Sequence, residues 1–130
     1  MKISLPAFIP AFTWFVIASV LFLLPGEQLP EEDLFKLPDV DKLIHTFLFF
    51  VLCILFYRPF RFSHDRAYKQ AMFAKIALAA VIYGLIIEVL QKYFIPNRSF
   101  DLWDLVFDAI GCGASYWYGL KFYQKHAAKK

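Results

Sequence analysis

AFIPAFTWFVIASVLFLL, residues 7–24, is a run of eighteen residues without a charge. At about 1.5 Å per helical residue, such a run nearly spans the ~30 Å hydrocarbon core of a bilayer. Lys2 followed by this run imitates a signal peptide. The run is long for the apolar part of one, however, and Pro25-Gly26-Glu27 offers no small-x-small cleavage site. The reading is therefore an uncleaved helix, with Pro10 expected to kink its start.

Outward from this run the pattern repeats. A second apolar stretch extends from Leu43 to about Phe60, with His45 near its start and Arg58 near its end. A third runs from about Met72 to Ile95, with Lys75 near one end and Glu88, Gln91 and Lys92 near the other. A fourth begins near Asp101 and ends near Tyr123, after a tight Pro96-Asn97-Arg98-Ser99 turn. The expected fold is all-α: one membrane domain over residues 1–130, a bundle of about four transmembrane helices at roughly 7–24, 43–60, 72–95 and 101–123. Residues 25–42 and 61–71 read as polar connections; Pro25, Gly26, Pro30 and Pro38 break helices in the first of them.

Composition agrees. Of 130 residues, 60% are hydrophobic, against the ~45–50% usual in soluble domains. Sixteen phenylalanines are too many for one small aqueous core. Cys53 and Cys112 both lie in apolar runs, which argues against a disulfide framework, and no Cys-x-x-Cys pair suggests structural zinc. Nothing points to nucleic acid.

Basic residues set the expected orientation. Four crossings put both termini on one side, together with Arg58, Arg61, Arg66, Lys69 and Lys75, making ten Lys and Arg there against four on the other side. The expectation is a cell-membrane protein with both termini in the cytoplasm. Ten of the eleven carboxylates then face outward.

Polar residues gather at the outer end at helical spacing. Asp41 and His45 are four apart, Glu88 and Gln91 three apart, and Asp101, Asp104 and Asp108 follow at three and seven. Each set falls on one helix face. Three helices can thus direct carboxylates and an imidazole into one outward-opening pocket, with Arg98 in reach. A structural reading stands beside this one. Asp41 and Asp101 can be N-caps, Asp104 can answer a helix macrodipole, and His45 can be a wet interfacial ring. Glu88 and Asp108 are harder to assign a structural part, because a lipid-facing carboxylate inside a helix costs ~2.5 kcal/mol or more. Gly111, Ser115 and Gly119, at four-residue intervals, form a small-residue stripe expected to pack helix four against its neighbours.

Asp41-Lys42-x-x-His45, then Glu88-x-x-Gln91, then Pro96-x-Arg98-Ser99-Phe100-Asp101-x-x-Asp104 and Gly111, resembles the signatures of the VanZ-like membrane family. The resemblance covers roughly residues 20–120, and departs where the family usually has Asn and this chain has Asp108. It implies a bacterial multi-pass membrane protein, with a glycopeptide-antibiotic resistance role as a family association.

Two functional readings follow. In the first, the pocket binds or acts on an amphiphilic, lipid-linked envelope molecule. His45, Glu88, Arg98 and Asp104 are then the candidate catalytic groups, and Asp41, Gln91, Asp101 and Asp108 contact substrate. His45 would be a base, or would hold a divalent metal with Glu88 and Asp104, while Arg98 holds a phosphate. In the second, the protein is a non-catalytic membrane accessory whose polar residues fix bundle geometry. Whether it is an enzyme is left open by the sequence; membrane lipids are the expected surroundings in both readings.

Overall fold

A computed structural model describes residues 5–23, 38–61, 65–94 and 102–128, with side chains from Lys42 in the second stretch and to Tyr123 in the last. All four long elements are helices: α1 (Ile9–Leu23), α2 (Pro38–Tyr57), α3 (Arg66–Phe94) and α4 (Leu102–Ala128). A 3-10 turn, Leu5–Phe8, leads into α1, and another, Arg58–Phe60, follows α2. Leu5–Leu23, Lys42–Phe60 and Arg66–Phe94 are each long and apolar enough to cross a membrane.

The helix starts differ from expectation for local reasons. Pro10 is the second residue of α1, in the first turn, where its missing N–H breaks no helical hydrogen bond. α2 begins at Pro38 rather than Leu43, again a proline pre-set for the first helical position. Asp41 therefore lies inside the first turn of α2 and is not its N-cap. α3 begins six residues before Met72, because Asp65 caps it. The Asp65 carboxylate accepts the Tyr68 backbone N–H at 3.1 Å, and its carbonyl accepts the Lys69 N–H at 3.0 Å. Lys69, expected in a polar connection, is consequently buried, and its Nζ lies 3.5 Å from the Tyr123 carbonyl oxygen of α4.

α4 is as long as its neighbours but less apolar in sequence, because it carries Asp104, Asp108 and Ser115. These three are buried inside the bundle, whereas Trp103, Ile110, Trp117 and Phe122 face outward. Its outer surface is thus apolar, like that of the other helices.

α2 and α4 form the tightest pair. A Cβ added at Gly111 would lie 2.5 Å from the Thr46 carbonyl oxygen, and one at Gly119 would lie 2.9 Å from the Tyr57 ring. Thr46 Oγ1 donates to the Phe107 carbonyl across the same contact, at 3.1 Å. Further along, Ser115 Oγ donates to the Cys112 carbonyl at 2.6 Å, so the Tyr57 hydroxyl, 3.1 Å away, donates to Ser115. The small-residue stripe is therefore the seam between α2 and α4. Tyr57 stacks on Phe73 of α3 with ring centroids 4.3 Å apart. The core of the bundle is aromatic: Phe22, Phe49, Tyr57 and Phe73 are all buried. α1 closes the remaining side. Its Trp14 indole N–H donates to the Leu48 carbonyl at 3.1 Å, and its Ser19 and Tyr83 of α3 share a 2.5 Å hydrogen bond.

Candidate functional site

The antiparallel packing brings the last turns of α1 and α3 together with the first turns of α2 and α4. Into that end project Lys42 and His45 from α2, Glu88 and Gln91 from α3, and Asp104 and Asp108 from α4. His45, Glu88, Gln91 and Asp108 are at most 3% exposed, and Asp104 is 8% exposed.

His45 is at the centre. Its Nδ1 lies 2.8 Å from Asp108 Oδ1, a buried imidazole–carboxylate hydrogen bond. Its Nε2 faces Asp104, 3.9 Å from Oδ2. Phe22 of α1 covers the imidazole, ring centroids 4.8 Å apart. Asp104 also meets Lys42 Nζ at 3.5 Å through its other oxygen. This Lys42–Asp104 pair is the more exposed edge of the cluster, with side chains 19% and 12% exposed. Asp104 lies in the first turn of α4, where the helix macrodipole favours its negative charge.

Glu88 is fully buried. One ligand-capable atom from each of His45, Glu88 and Asp104 can be chosen so that all three lie within 4.8 Å of one another. One turn below Glu88 on the same face of α3 is Gly84. A Cβ there would meet Asp108 Oδ2 at 2.9 Å and Phe49 at 3.2 Å, so the absence of a side chain at 84 makes room for Asp108.

Gln91, expected among the substrate contacts, directs its amide elsewhere. Its Nε2 donates to the Phe22 carbonyl at 2.6 Å. That carbonyl belongs to the last turn of α1, where backbone oxygens have no helical partner. Gln91 therefore fastens α1 to α3 beside the cluster. The Asp41 side chain, and all of Arg98 and Asp101, lie outside the described residues.

Below the cluster, toward the middle of the bundle, an apolar groove of about 190 Å³ opens between α1, α2 and α3. Phe15, Leu52, Phe56, Ile76, Ala80 and Tyr83 line it. It exceeds the ~150 Å³ that holds a benzene molecule in an apolar protein cavity. Tyr83 at its upper end is five residues, about 7.5 Å of helix, from Glu88.

The VanZ/LLP1 family pattern matches residues 3–122, which include every residue of this cluster and groove. The chain belongs to the VanZ/LLP1 family. Together with the three membrane-length apolar helices, this makes it a membrane protein. An uncharacterised protein of Schizosaccharomyces pombe is 29% identical to this VanZ/LLP1 chain over 110 residues, 85% of this chain and 65% of that relative. The chain thus spans a little under two thirds of the relative's length. No solved structure matches.

Sequence spacing placed His45, Glu88, Asp104 and Asp108 at one end of the bundle, and the structure brings them into one cluster. Spacing left three neighbours unnoticed: Lys42 as the partner of Asp104, Gly84 as the space for Asp108, and Phe22 as the lid on His45. Gly84 carried a signal, since it lies four residues before Glu88 and so on the same helix face, and Lys42 stands in the Asp41-Lys42-x-x-His45 signature.

Proposed function

We propose that this VanZ/LLP1 protein crosses the membrane four times and binds or acts on an amphiphilic, lipid-linked phosphate. The charged head sits at the His45–Glu88–Asp104 cluster and the hydrocarbon lies in the groove along α3. The observation that carries this reading is the presence of a buried polar cluster and an apolar groove in one bundle. A buried polar cluster inside membrane-length helices is expensive unless it is used, and the same bundle carries an apolar groove whose Tyr83 is five residues along α3 from Glu88. The inward-turned polar face and apolar outer face of α4 support it as the fourth crossing.

Within this reading His45 is the base or, where the cluster holds a metal, a ligand through its Nε2. Asp108 holds its Nδ1, and Nε2 is directed toward the Asp104 edge where a head group would arrive. Lys42 at that edge, and Arg98 in the connection between α3 and α4, supply positive charge for phosphate. The ten-to-four distribution of basic residues supports cytoplasmic termini and a cluster in the outer leaflet; an active alkaline phosphatase fused after Lys130 would overturn that orientation. A bacterial envelope and a part in glycopeptide resistance follow from the family resemblance alone, and the fission-yeast relative supports neither.

Photolabelling tests the reading. The protein in nanodiscs is exposed to a long-chain alkyl phosphate bearing a diazirine in its chain. Label is expected on the segment containing Ile76, Ala80 and Tyr83, displaced by unlabelled alkyl phosphate but not by the corresponding alcohol or by inorganic phosphate. Label spread over all outward faces, or equal displacement by the alcohol, contradicts it.

A non-catalytic accessory role is the second reading. Its supporting observation is that Gln91 and the Lys42–Asp104 pair already fasten helices to one another. Under that reading the alkyl phosphate shows no preference over the alcohol.

A further inference from the structure

We propose that His45, Glu88 and Asp104 form a divalent metal site, with Asp108 as the residue that orients the histidine ligand. The inference rests on reading the cluster as a functional site, but on nothing about the lipid.

A histidine that ligates a metal through one ring nitrogen usually donates its other N–H to a carboxylate or carbonyl, which fixes the tautomer and the ring plane. Asp108 fits that part. Its Oδ1 is 2.8 Å from Nδ1, it is 1% exposed, and Gly84 leaves it the space it needs. With the proton on Nδ1, the Nε2 lone pair points toward Asp104 Oδ2, 3.9 Å away. Ligand atoms about 2.1 Å from a tetrahedral divalent ion lie roughly 3.4 Å apart. The His45–Asp104 pair is within about half an ångström of that spacing. The full three-atom set lies within 4.8 Å, so its widest separation must shorten by up to about 1.4 Å to close on a tetrahedral ion. Phe22 over the imidazole and the surrounding aromatic core hold the ring in place.

Donor chemistry narrows the ion. One imidazole and two carboxylates suit Mn²⁺, Fe²⁺ or Zn²⁺ better than the all-oxygen preference of Mg²⁺ or Ca²⁺. Lys42 Nζ pairs with Asp104 Oδ1, and Oδ2 is the oxygen nearer His45. The Lys42–Asp104 edge, the most exposed part, is then the entry. Asp108, as a charged partner on Nδ1, strengthens the histidine as a ligand.

The test is direct binding of Mn²⁺, chosen because the buried thiols Cys53 and Cys112 compete poorly for it. Purified protein in nanodiscs is stripped with chelator and titrated with Mn²⁺, and the free ion is read by electron paramagnetic resonance. The expected result is one saturable site per chain, lost in H45A, E88Q and D104N. D108N is expected to weaken it by about 10–100-fold. Gel filtration and circular dichroism establish that each variant is folded. Should E88Q fail to fold, D104N, at the exposed edge, decides. Wild-type protein without a saturable site, or D104N binding as wild type, overturns the metal site; D108N binding as wild type overturns the orienting part of Asp108. Mn²⁺ binding without alkyl phosphate preference would retain the metal site and remove the lipid reading, and the converse result would do the reverse.

Discussion

Gln91 shows how a single polar residue in this bundle is used. The Phe22 carbonyl lies in the last turn of α1 and needs a donor from outside its own helix. Gln91 Nε2 supplies it at 2.6 Å from a buried position. Replacing Gln91 with Leu keeps the volume roughly constant and leaves the oxygen buried without that donor, which costs about 1–3 kcal/mol. Q91L is therefore expected to lower the melting temperature of the detergent-solubilised protein while leaving it inserted. An unchanged melting temperature would mean that α1 is not fastened to α3 at this point. The same residue marks a limit of sequence reading. The three-residue spacing of Glu88 and Gln91 placed both on one face, but a face is wide enough to meet two different partners. Glu88 turns to α2 and α4, and Gln91 turns to α1. Only the rotation of each helix about its axis separates them, and spacing within one helix does not encode that rotation.

At the scale of elements, Gly111 and Gly113 of α4 give opposite expectations. Gly111 lies against the α2 backbone, where a Cβ would be 2.5 Å from the Thr46 carbonyl oxygen. A backbone atom cannot swing aside as a side-chain tip can, so G111A must push α4 from α2 and is expected to cost about 1–3 kcal/mol; G111L is expected to block folding. Gly113 has nothing within 4 Å of an added Cβ. G113A should be neutral, or stabilising by up to about 1 kcal/mol through helix propensity. Equal thermal stability of G111A and G113A in detergent would show that the stripe does not form the seam. The stripe itself was legible, because small residues at four-residue intervals in an apolar helix mark a face on which another helix can approach closely. The α3 start was not. Basic residues at 66 and 69 suggest a loop by composition, whereas the Asp65 cap and the burial of Lys69 against α4 extend the helix through them.

For the whole molecule, the all-helical bundle was the most legible property, since apolar runs of membrane length leave little choice of fold. Convergence of the polar residues was legible only as a common end of the bundle. The pairings His45–Asp108 and Lys42–Asp104 depend on helix register across more than sixty residues of chain, which no single-chain spacing supplies. The claim that joins residues, elements and molecule is that His45 and Glu88, from different helices, serve one site. A double-mutant cycle on alkyl phosphate affinity tests it most directly. Dissociation constants are measured in nanodiscs for the wild type, H45A, E88Q and the double variant, with folding of each established by its melting curve. Residues that share a site have coupling energies of about 0.5–3 kcal/mol, whereas independent ones add. Each single variant is expected to weaken binding, and the double variant to be little weaker than the worse single one. Losses that sum across the pair, or an E88Q variant that binds and melts as wild type does, would contradict a shared site.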